Sequence, residues 1–244
     1  MGQLIKVNAY KHGDLVTYAL GATVVMEYLN HAVSDVEAVI VHPGFRSEET
    51  RAKIDVICAA RSIPVSVEEK PFNILSKKEN CFVIAVIRKT QTKIEPGNHM
   101  VLVNPSNAGN LGTITRSCLG FGVRDIAIVP PAVDHYDPKV IRASMGAAAS
   151  VRTEVFGSFE EYSERFPDNR LYPFMLDGSV RLQETKIEAP FSLIMGNEAT
   201  GLPAEFSRIG TPVRIEHSGA IDSLNITIAA SIGLYEAAKG SGIN

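Results

Sequence analysis

Cysteine is scarce in this sequence, and the few cysteines lack the spacing of a disulfide framework or a metal site. Cys58, Cys81 and Cys118 are odd in number, far apart and without a CxxC pair. The six histidines are equally dispersed and include no HxH or HxxxH spacing. We therefore expect no disulfide framework, no thiolate zinc site and no structural metal. The cysteines are interpreted as small buried apolar residues.

Long apolar runs are also missing, although 45% of the 244 residues are hydrophobic. This composition is typical of a globular chain with one large domain or two modest ones, and it predicts no membrane span. The N-terminal sequence MGQLIKVNAYKHG lacks a continuous apolar segment with a small-residue cleavage site, which favours a cytoplasmic protein. The formal net charge of −3 argues against nonspecific coating of nucleic acid, so an RNA-binding surface would have to be local.

Alternating helical and strand patterns fill the first third of the chain. We interpret residues 1–90 as a small α/β domain and the polar segment 91–99, which contains Pro96 and Gly97, as a flexible linker. A helix opens at Ser47, which two acidic residues follow. Strands are predicted at 36–41, 63–67 and 82–87, and an earlier helical face consists of Leu20, Val24, Val25, Tyr28 and Leu29.

From residue 100 the alternation restarts, and we assign residues 100–244 to a second α/β domain. Its apolar strands, separated by helical stretches, predict a mostly parallel sheet with helices on both faces. Ligands of such sheets bind at the carboxyl ends of the strands, where this chain places Asn104, Asp177, Gly196 and His217. The predicted strands are 100–103, 125–129, 151–156, 171–176, 191–195 and 212–216.

The last predicted helix combines an apolar face with unusually small residues. Asp222 or Ser223 can cap its start, and Gly240 lies where a C-terminal cap belongs. Small side chains let another backbone approach closely, so we expect this helix to be packed on more than one side. The apolar face consists of Leu224, Ile228, Ile232 and Tyr235, and the small positions are Ala229, Ala230, Ser231, Gly233, Ala237 and Ala238.

Three separate stretches of the second domain carry a family resemblance. They are NPSNAGNLGTITRSCLGFGV from Asn104, GNEATGLP from Gly196 and DSLNITIAASIGLYE from Asp222. In this order they resemble the three motifs of the SpoU/TrmH family of RNA ribose methyltransferases, in the SPOUT superfamily. The first 90 residues are more loosely similar to the ribosomal-protein-like substrate-binding domain that many members carry.

The resemblance implies an RNA 2′-O-methyltransferase that uses S-adenosylmethionine and acts on structured RNA, rRNA rather than tRNA. It also implies a C-terminal trefoil knot and a homodimer formed through the methyltransferase domain. Family proposals make Arg116 the base that removes the 2′-hydroxyl proton. The implied catalytic residues are Arg116, Asn110, Glu198, Ser223 and Asn225, and the implied cofactor-binding residues are Leu176, Met195, Gly196, Ile215, Ile221 and Leu224.

Two other functions fit parts of the sequence. A strand followed by Asn-Ala-Gly-Asn-Leu-Gly suggests a nucleotide-cofactor oxidoreductase, but Gly109 and Gly112 do not make GxGxxG, and Asp125 begins its strand rather than ending one. A catalytically inactive RNA-binding or assembly protein of the same fold is the other alternative, which the intact polar set argues against. Ser223 and Asn225 could also be no more than helix caps.

Overall fold

The described residues form two compact units. This computed structural model describes residues 7–76, 80–176 and 180–239. The first unit takes the chain up to Thr90 together with the segment Asp134–Ser150, and the second takes Gln91–Val133 and the chain from Val151 onward. The segment Asp134–Ser150, which the sequence analysis counted with the second domain, therefore belongs to the first unit.

A four-stranded sheet organises the first unit. Its order is β1-β4-β2-β3, with β4 antiparallel to both β1 and β2 and with β3 parallel to β2. The segment Asp134–Ser150 is held to this unit by hydrogen bonds from Tyr10 to Asp134 and from Thr17 to the Tyr136 carbonyl. The elements are β1 (Val16–Leu20), α1 (Ala22–His31), β2 (Val36–Val41), α2 (Glu48–Ala60), β3 (Val65–Val67), α3 (Lys70–Leu75) and β4 (Val83–Arg88).

The second unit is built on a five-stranded parallel sheet with the order β7-β6-β5-β10-β8. A separate parallel pair joins β9 and β11. The elements from here on are β5 (His99–Val103), α4 (Ala108–Gly120), β6 (Asp125–Val129), α5 (Pro138–Ala143, in the first unit), β7 (Arg152–Val155), α6 (Phe159–Arg165), β8 (Arg170–Pro173), β9 (Val180–Arg181), β10 (Phe191–Met195), β11 (Val213–Arg214) and α7 (Ile226–Ala238).

Burial of the central strands confirms the predicted α/β class with a parallel sheet. Every residue of β5, β6 and β10 is buried, which requires cover on both faces of the sheet. The last helix, α7, packs on both α4 and β10. Gly233 lets α7 also approach Phe174, which follows β8, because a Cβ there would lie 2.5 Å from the Phe174 ring. The prediction that this helix is packed on more than one side is confirmed.

Local sequence predicted most strands and misplaced several ends. The bounds of β2, β6 and β10 are those predicted. Leu20, predicted on a helical face, is instead the last residue of β1, a strand that was not predicted, and Gly21 with φ 104° separates it from α1. Neither Asp222 nor Ser223 caps α7, because the N-cap is Asn225. Asp177 and Gly240 lie outside the described residues.

The segment 91–99, predicted as a flexible linker, is anchored to the second unit. Ile94 is 2% exposed, and its N–H donates to Glu154 Oε2 at 2.8 Å. The Thr92 hydroxyl donates to the Thr153 carbonyl at 2.7 Å, and His99 is already the first residue of β5. The polar composition of this segment did not predict the burial of Ile94 or the two hydrogen bonds to β7.

Candidate functional site

A cavity of about 350 Å³ opens at the carboxyl edge of the parallel sheet, where β8 and β10 end. Its walls come from the chain after β8, the loop 196–202 after β10, the region of β11 and the start of α7. The site therefore lies where ligands of parallel sheets bind. Its lining includes Phe174, Leu176, Met195, Gly196, Asn197, Glu198, Thr200, Val213, Ile215, His217, Ser223, Leu224, Ile226 and Ala229.

The carboxylate of Glu198 joins the loop 196–202 to the start of α4. Its Oε2 accepts from the hydroxyl and the N–H of Ser106, at 2.7 and 3.3 Å. Its Oε1 accepts from the N–H of Asn107 at 3.3 Å and from the side-chain amide of Asn110 at 3.2 Å. An anion at the N-terminus of a helix is also favoured by the helix dipole. Two stretches about 90 residues apart in sequence are thereby held as one structure.

Hydrogen bonds at this junction lower the pKa of Glu198. Burial acts to raise the pKa of Glu198, but the hydrogen bonds from Ser106 and Asn110 outweigh it and hold the pKa below its ordinary value. At pH values above the ordinary pKa of a glutamate, the ionised carboxylate therefore stabilises this junction. That contribution is lost as the pH falls through the lowered pKa of Glu198. A carboxylate offers about four acceptor positions, so Glu198 has little capacity left to accept a proton from a ligand.

Asn197 makes a second connection that sequence reasoning missed. Its side-chain amide donates to the Asn104 carbonyl at 2.9 Å and to the Ser106 hydroxyl at 3.3 Å. Its Oδ1 accepts from the N–H groups of Ala199 and Thr200, at 2.8 and 3.2 Å, in an Asx turn. The only sequence signal was its position beside Gly196 and Glu198.

Gly196 is required by backbone packing within the loop. A Cβ at this position would lie 2.3 Å from both the Gly201 carbonyl carbon and the Leu202 nitrogen. The resemblance implied Gly196 as a cofactor-binding residue. The contact that excludes a side chain in the structure is instead the closed loop, in which Asn197 and Gly201 exchange hydrogen bonds of 3.1 and 2.9 Å.

Arg116 lies on α4 with an exposed side chain. Its guanidinium makes no hydrogen bond or ion pair with any residue in the described part of the chain. Arg116 is therefore not part of a structural ion pair within the described residues. A planar guanidinium with five N–H donors and no protein partner is suited to a phosphate or another anion.

The other residues predicted for the site differ in how closely they approach the cavity. Ser223 lines it, whereas Asn225 caps α7 by accepting from the N–H of Thr227 at 2.8 Å. Ile221 is 51% exposed and is not part of the lining. Leu176 lines the cavity and is 57% exposed, as expected of an apolar wall open to a ligand. The remaining predicted cofactor-binding residues, Met195, Gly196, Ile215 and Leu224, all line the cavity.

Within the described ranges, no cluster of three His, Cys, Asp or Glu side chains could hold a metal ion. In the same ranges, no helix is both long enough and apolar enough to cross a bilayer.

Comparisons with known proteins agree with this geometry. The sequence model of the SpoU rRNA Methylase family matches residues 97–235. The chain is 30% identical over 164 residues to an uncharacterized tRNA/rRNA methyltransferase of Synechocystis sp., covering 64% of this chain and 60% of that protein. It is also 30% identical over 172 residues to the 23S rRNA (adenosine(1067)-2′-O)-methyltransferase of Streptomyces laurentii, covering 67% of this chain and 63% of the relative.

The alignments therefore span less than two thirds of the length of these curated relatives. Among solved structures, the AdoMet-bound rRNA methyltransferase from Sinorhizobium meliloti superposes with a TM-score of 0.78 at 24% identity. That superposition covers 94% of this chain and 89% of that one, and it shows the same fold.

Proposed function

Because the chain belongs to the SpoU rRNA methylase family, we propose that it transfers a methyl group from S-adenosylmethionine to a ribose 2′-hydroxyl of structured RNA. One observation carries this proposal. The second and third motif stretches line the cavity, and the first is attached to it through the 3.2 Å hydrogen bond between Asn110 and Glu198. Three segments that are distant in sequence thus meet in one place.

The cavity fits the nucleoside part of the cofactor. Its volume lies at the lower end of the usual range for small-ligand sites. Leu176, Met195 and Ile215 supply apolar walls, while the backbone around Gly196 and Leu224 supplies N–H and carbonyl groups for the polar edges of an adenosine. When bound, S-adenosylmethionine supplies an electrophilic methyl group.

The polar residues then have separate roles. Arg116 holds a phosphate of the RNA and stabilises the oxygen that loses its proton. Glu198 positions Asn110 and the start of α4 rather than taking the proton, because its carboxylate is already hydrogen bonded on both oxygens. Asn225 shapes the turn into α7, beside Ser223 and Leu224 in the cavity wall.

Binding and transfer assays test the proposal directly. Calorimetry of the full chain should show S-adenosylmethionine binding, and radiolabelled methyl transfer to total RNA should follow. Reverse-transcription stops would then map the modified ribose. Binding without transfer would favour an inactive RNA-binding protein, and binding of a nicotinamide nucleotide in place of S-adenosylmethionine would favour the oxidoreductase.

We further propose that the substrate is rRNA rather than tRNA, that the first unit contributes to binding it, and that the enzyme works in the cytoplasm with its RNA. The names of the relatives include both RNA classes. The presence of a further α/β unit besides the methyltransferase unit supports rRNA by analogy only.

We also propose that the chain around α7 forms the trefoil knot of the family, consistent with α7 packing on α4 and β10.

The contribution of the first unit is best tested by charge removal in the full chain. A fragment beginning at His99 would contain the segment Asp134–Ser150 without the rest of the first unit, in which Ile141 is fully buried. Arg46→Ala with Lys70→Ala removes two exposed cations instead. We expect weaker RNA binding, with a salt dependence reduced by about one unit of slope for each lost phosphate contact. Filter binding at several salt concentrations measures this.

The matched control for this experiment is Lys53→Ala, because Lys53 is already paired with Glu49 at 2.6 Å. Equal salt slopes for the wild type and the double variant would place RNA binding elsewhere.

A homodimer through α4 and α7 is the next expected result. Ile228 and Tyr235, seven residues apart on one face of α7, are 51% and 53% exposed. Tyr235 also contacts the ring of Phe121 at the end of α4, at 6.3 Å between centroids. We expect a dimer in analytical ultracentrifugation at micromolar concentration and a monomer for Ile228→Glu. Val56→Glu, at an exposed apolar position of α2, should leave the dimer intact, and a monomeric wild type would contradict the proposal.

Asn225→Ala is expected to lower activity much more than stability. Loss of an N-cap costs about 1 kcal/mol of folding free energy, whereas the turn it holds carries Ser223 and Leu224 of the cavity wall. Thermal unfolding and methyl transfer to RNA measure the two effects separately. Ser158→Ala removes the N-cap of α6, where the Ser158 hydroxyl accepts from the Glu161 N–H at 3.2 Å outside the cavity lining, and calibrates the cost of a lost cap alone. Simple unfolding of the Asn225 variant would show that Asn225 is only a structural cap.

A further inference from the structure

Ser106 lies in the turn between β5 and α4 and connects the Asn197 and Glu198 side chains of the loop 196–202. Its Oγ is 2.7 Å from Glu198 Oε2 and 3.3 Å from the side-chain nitrogen of Asn197. A carboxylate can only accept, so the single hydroxyl proton goes to Glu198, and the hydroxyl oxygen accepts from Asn197. Both hydrogen-bonding roles of this hydroxyl are therefore in use.

The two oxygens of Glu198 depend on different donors. Asn107 and Asn110 bond to Oε1, whereas Oε2 is held by the hydroxyl and N–H of Ser106, with Asn197 at 3.5 Å. The hydroxyl is the closest of all these donors. Without it, the carboxylate loses the shortest bond that opposes rotation away from Asn110.

The backbone conformation of Asn104 determines the position of Ser106. Asn104, which follows the last residue of β5, has φ 55°, a left-handed conformation that asparagine tolerates better than most residues. Its carbonyl accepts from Asn197 at 2.9 Å, so the turn is fixed on both sides of Pro105. The turn therefore holds the Ser106 hydroxyl at the carboxyl edge of the sheet.

We propose that Ser106 is a positioning residue for methyl transfer: its hydroxyl holds the Glu198 carboxylate on Asn110 and thereby fixes the N-terminal end of α4 against the cavity. This inference depends on the proposed function. Arg116 lies on the same helix, eight residues after its first residue Ala108, which corresponds to about 12 Å along the axis. A small tilt at the start of α4 therefore displaces the guanidinium relative to the cavity.

Kinetics of Ser106→Ala in the full chain test the proposal. Misplacement of reacting groups by about 1 Å can cost 10²-fold, so we expect kcat to fall by about 10- to 100-fold. The affinity for S-adenosylmethionine should stay within about 3-fold, because the cofactor is not proposed to contact the hydroxyl or Arg116. Ser106→Thr keeps a hydroxyl and should restore most of kcat. Ser207→Ala is the matched control, because the Ser207 hydroxyl donates to the Ala204 carbonyl at 2.7 Å and has no other hydrogen bond among the described residues.

A double-mutant cycle shows whether Ser106 acts through Glu198. If it does, Ser106→Ala should cause no further loss in a Glu198→Ala background. Independent, multiplying losses would overturn the inference, as would wild-type kcat in Ser106→Ala. Retained S-adenosylmethionine binding in each variant shows that the fold is intact. Failure of the wild type to bind the cofactor or to methylate RNA would instead overturn the proposed function, so the two failures are distinguishable.

Discussion

Arg116→Ala is expected to lower methyl transfer by about 10³-fold or more while leaving the affinity for S-adenosylmethionine within about 2-fold. Removal of one group that stabilises developing negative charge typically costs 10²–10³ in kcat, and Arg116 is proposed to hold the RNA phosphate as well. Its side chain is exposed and unpaired within the described residues, and it does not line the cavity. Calorimetry with the cofactor and single-turnover transfer to RNA measure the two quantities.

Two accounts of Arg116 make different predictions. In the first, the arginine accepts the 2′-hydroxyl proton; in the second, it stays charged, grips the phosphate with its planar fork, and solvent takes the proton. We favour the second, because a guanidinium is almost never neutral in proteins and an adjacent phosphate opposes its neutralisation. No hydrogen bond within the described residues would stabilise a neutral guanidinium, since these residues offer Arg116 no partner.

Arg116→Lys separates the two accounts. Lysine keeps the charge, loses the fork and gives up its proton more easily. Activity that follows the titration of the new amine would support the base account, whereas a variant as inactive as Arg116→Ala that still binds S-adenosylmethionine would support the clamp. Arg124→Ala, another exposed arginine of the same unit, is the control. Full activity in Arg116→Ala would contradict both accounts and the assignment of the site.

The strands most accurately predicted from sequence are those buried on both faces. In β6 and β10 a mostly apolar five-residue strand ends at proline or glycine, and burial from both sides leaves no competing periodicity. The strand β1 was missed because only Gly21 separates its apolar residues from those of α1, so both patterns merge in one window. Long-range contacts could not be predicted from local sequence either, because nothing in the composition of residues 134–150 indicates that they belong to the first unit.

The site shows the same division between local and long-range information. Motif positions identified Glu198 and Asn110, but the sequence could not show that Ser106 supplies the shortest hydrogen bond to that carboxylate. Motif position singled out Gly196 for cofactor binding, but the sequence could not show that the backbone of its own loop excludes a side chain there. Ile221 was placed in the cofactor pocket by motif position alone, and its exposed side chain does not reach the cavity lining.

Gly196→Ala is expected to abolish cofactor binding, with an affinity loss of more than about 10²-fold, which corresponds to about 2.7 kcal/mol. The added Cβ would meet backbone atoms of Gly201 and Leu202 at 2.3 Å, and backbone cannot rotate away as a flexible side chain can. Relief requires opening the paired hydrogen bonds between Asn197 and Gly201. The loop 196–202 would then leave the cavity wall, and Glu198 would leave the start of α4.

The cost to folding should be smaller than the cost to binding. Overpacking costs about 1–3 kcal/mol, because the loop can rearrange at the edge of the sheet while the buried strands β5 and β10 keep their register. Thermal unfolding and calorimetry compare the variant with Gly219→Ala, where an added Cβ meets no atom within 4 Å. We expect the control to bind S-adenosylmethionine like the wild type. Normal binding by Gly196→Ala would show that the cofactor does not depend on this loop, and the cavity at the ends of β8 and β10 would have to be abandoned as its site.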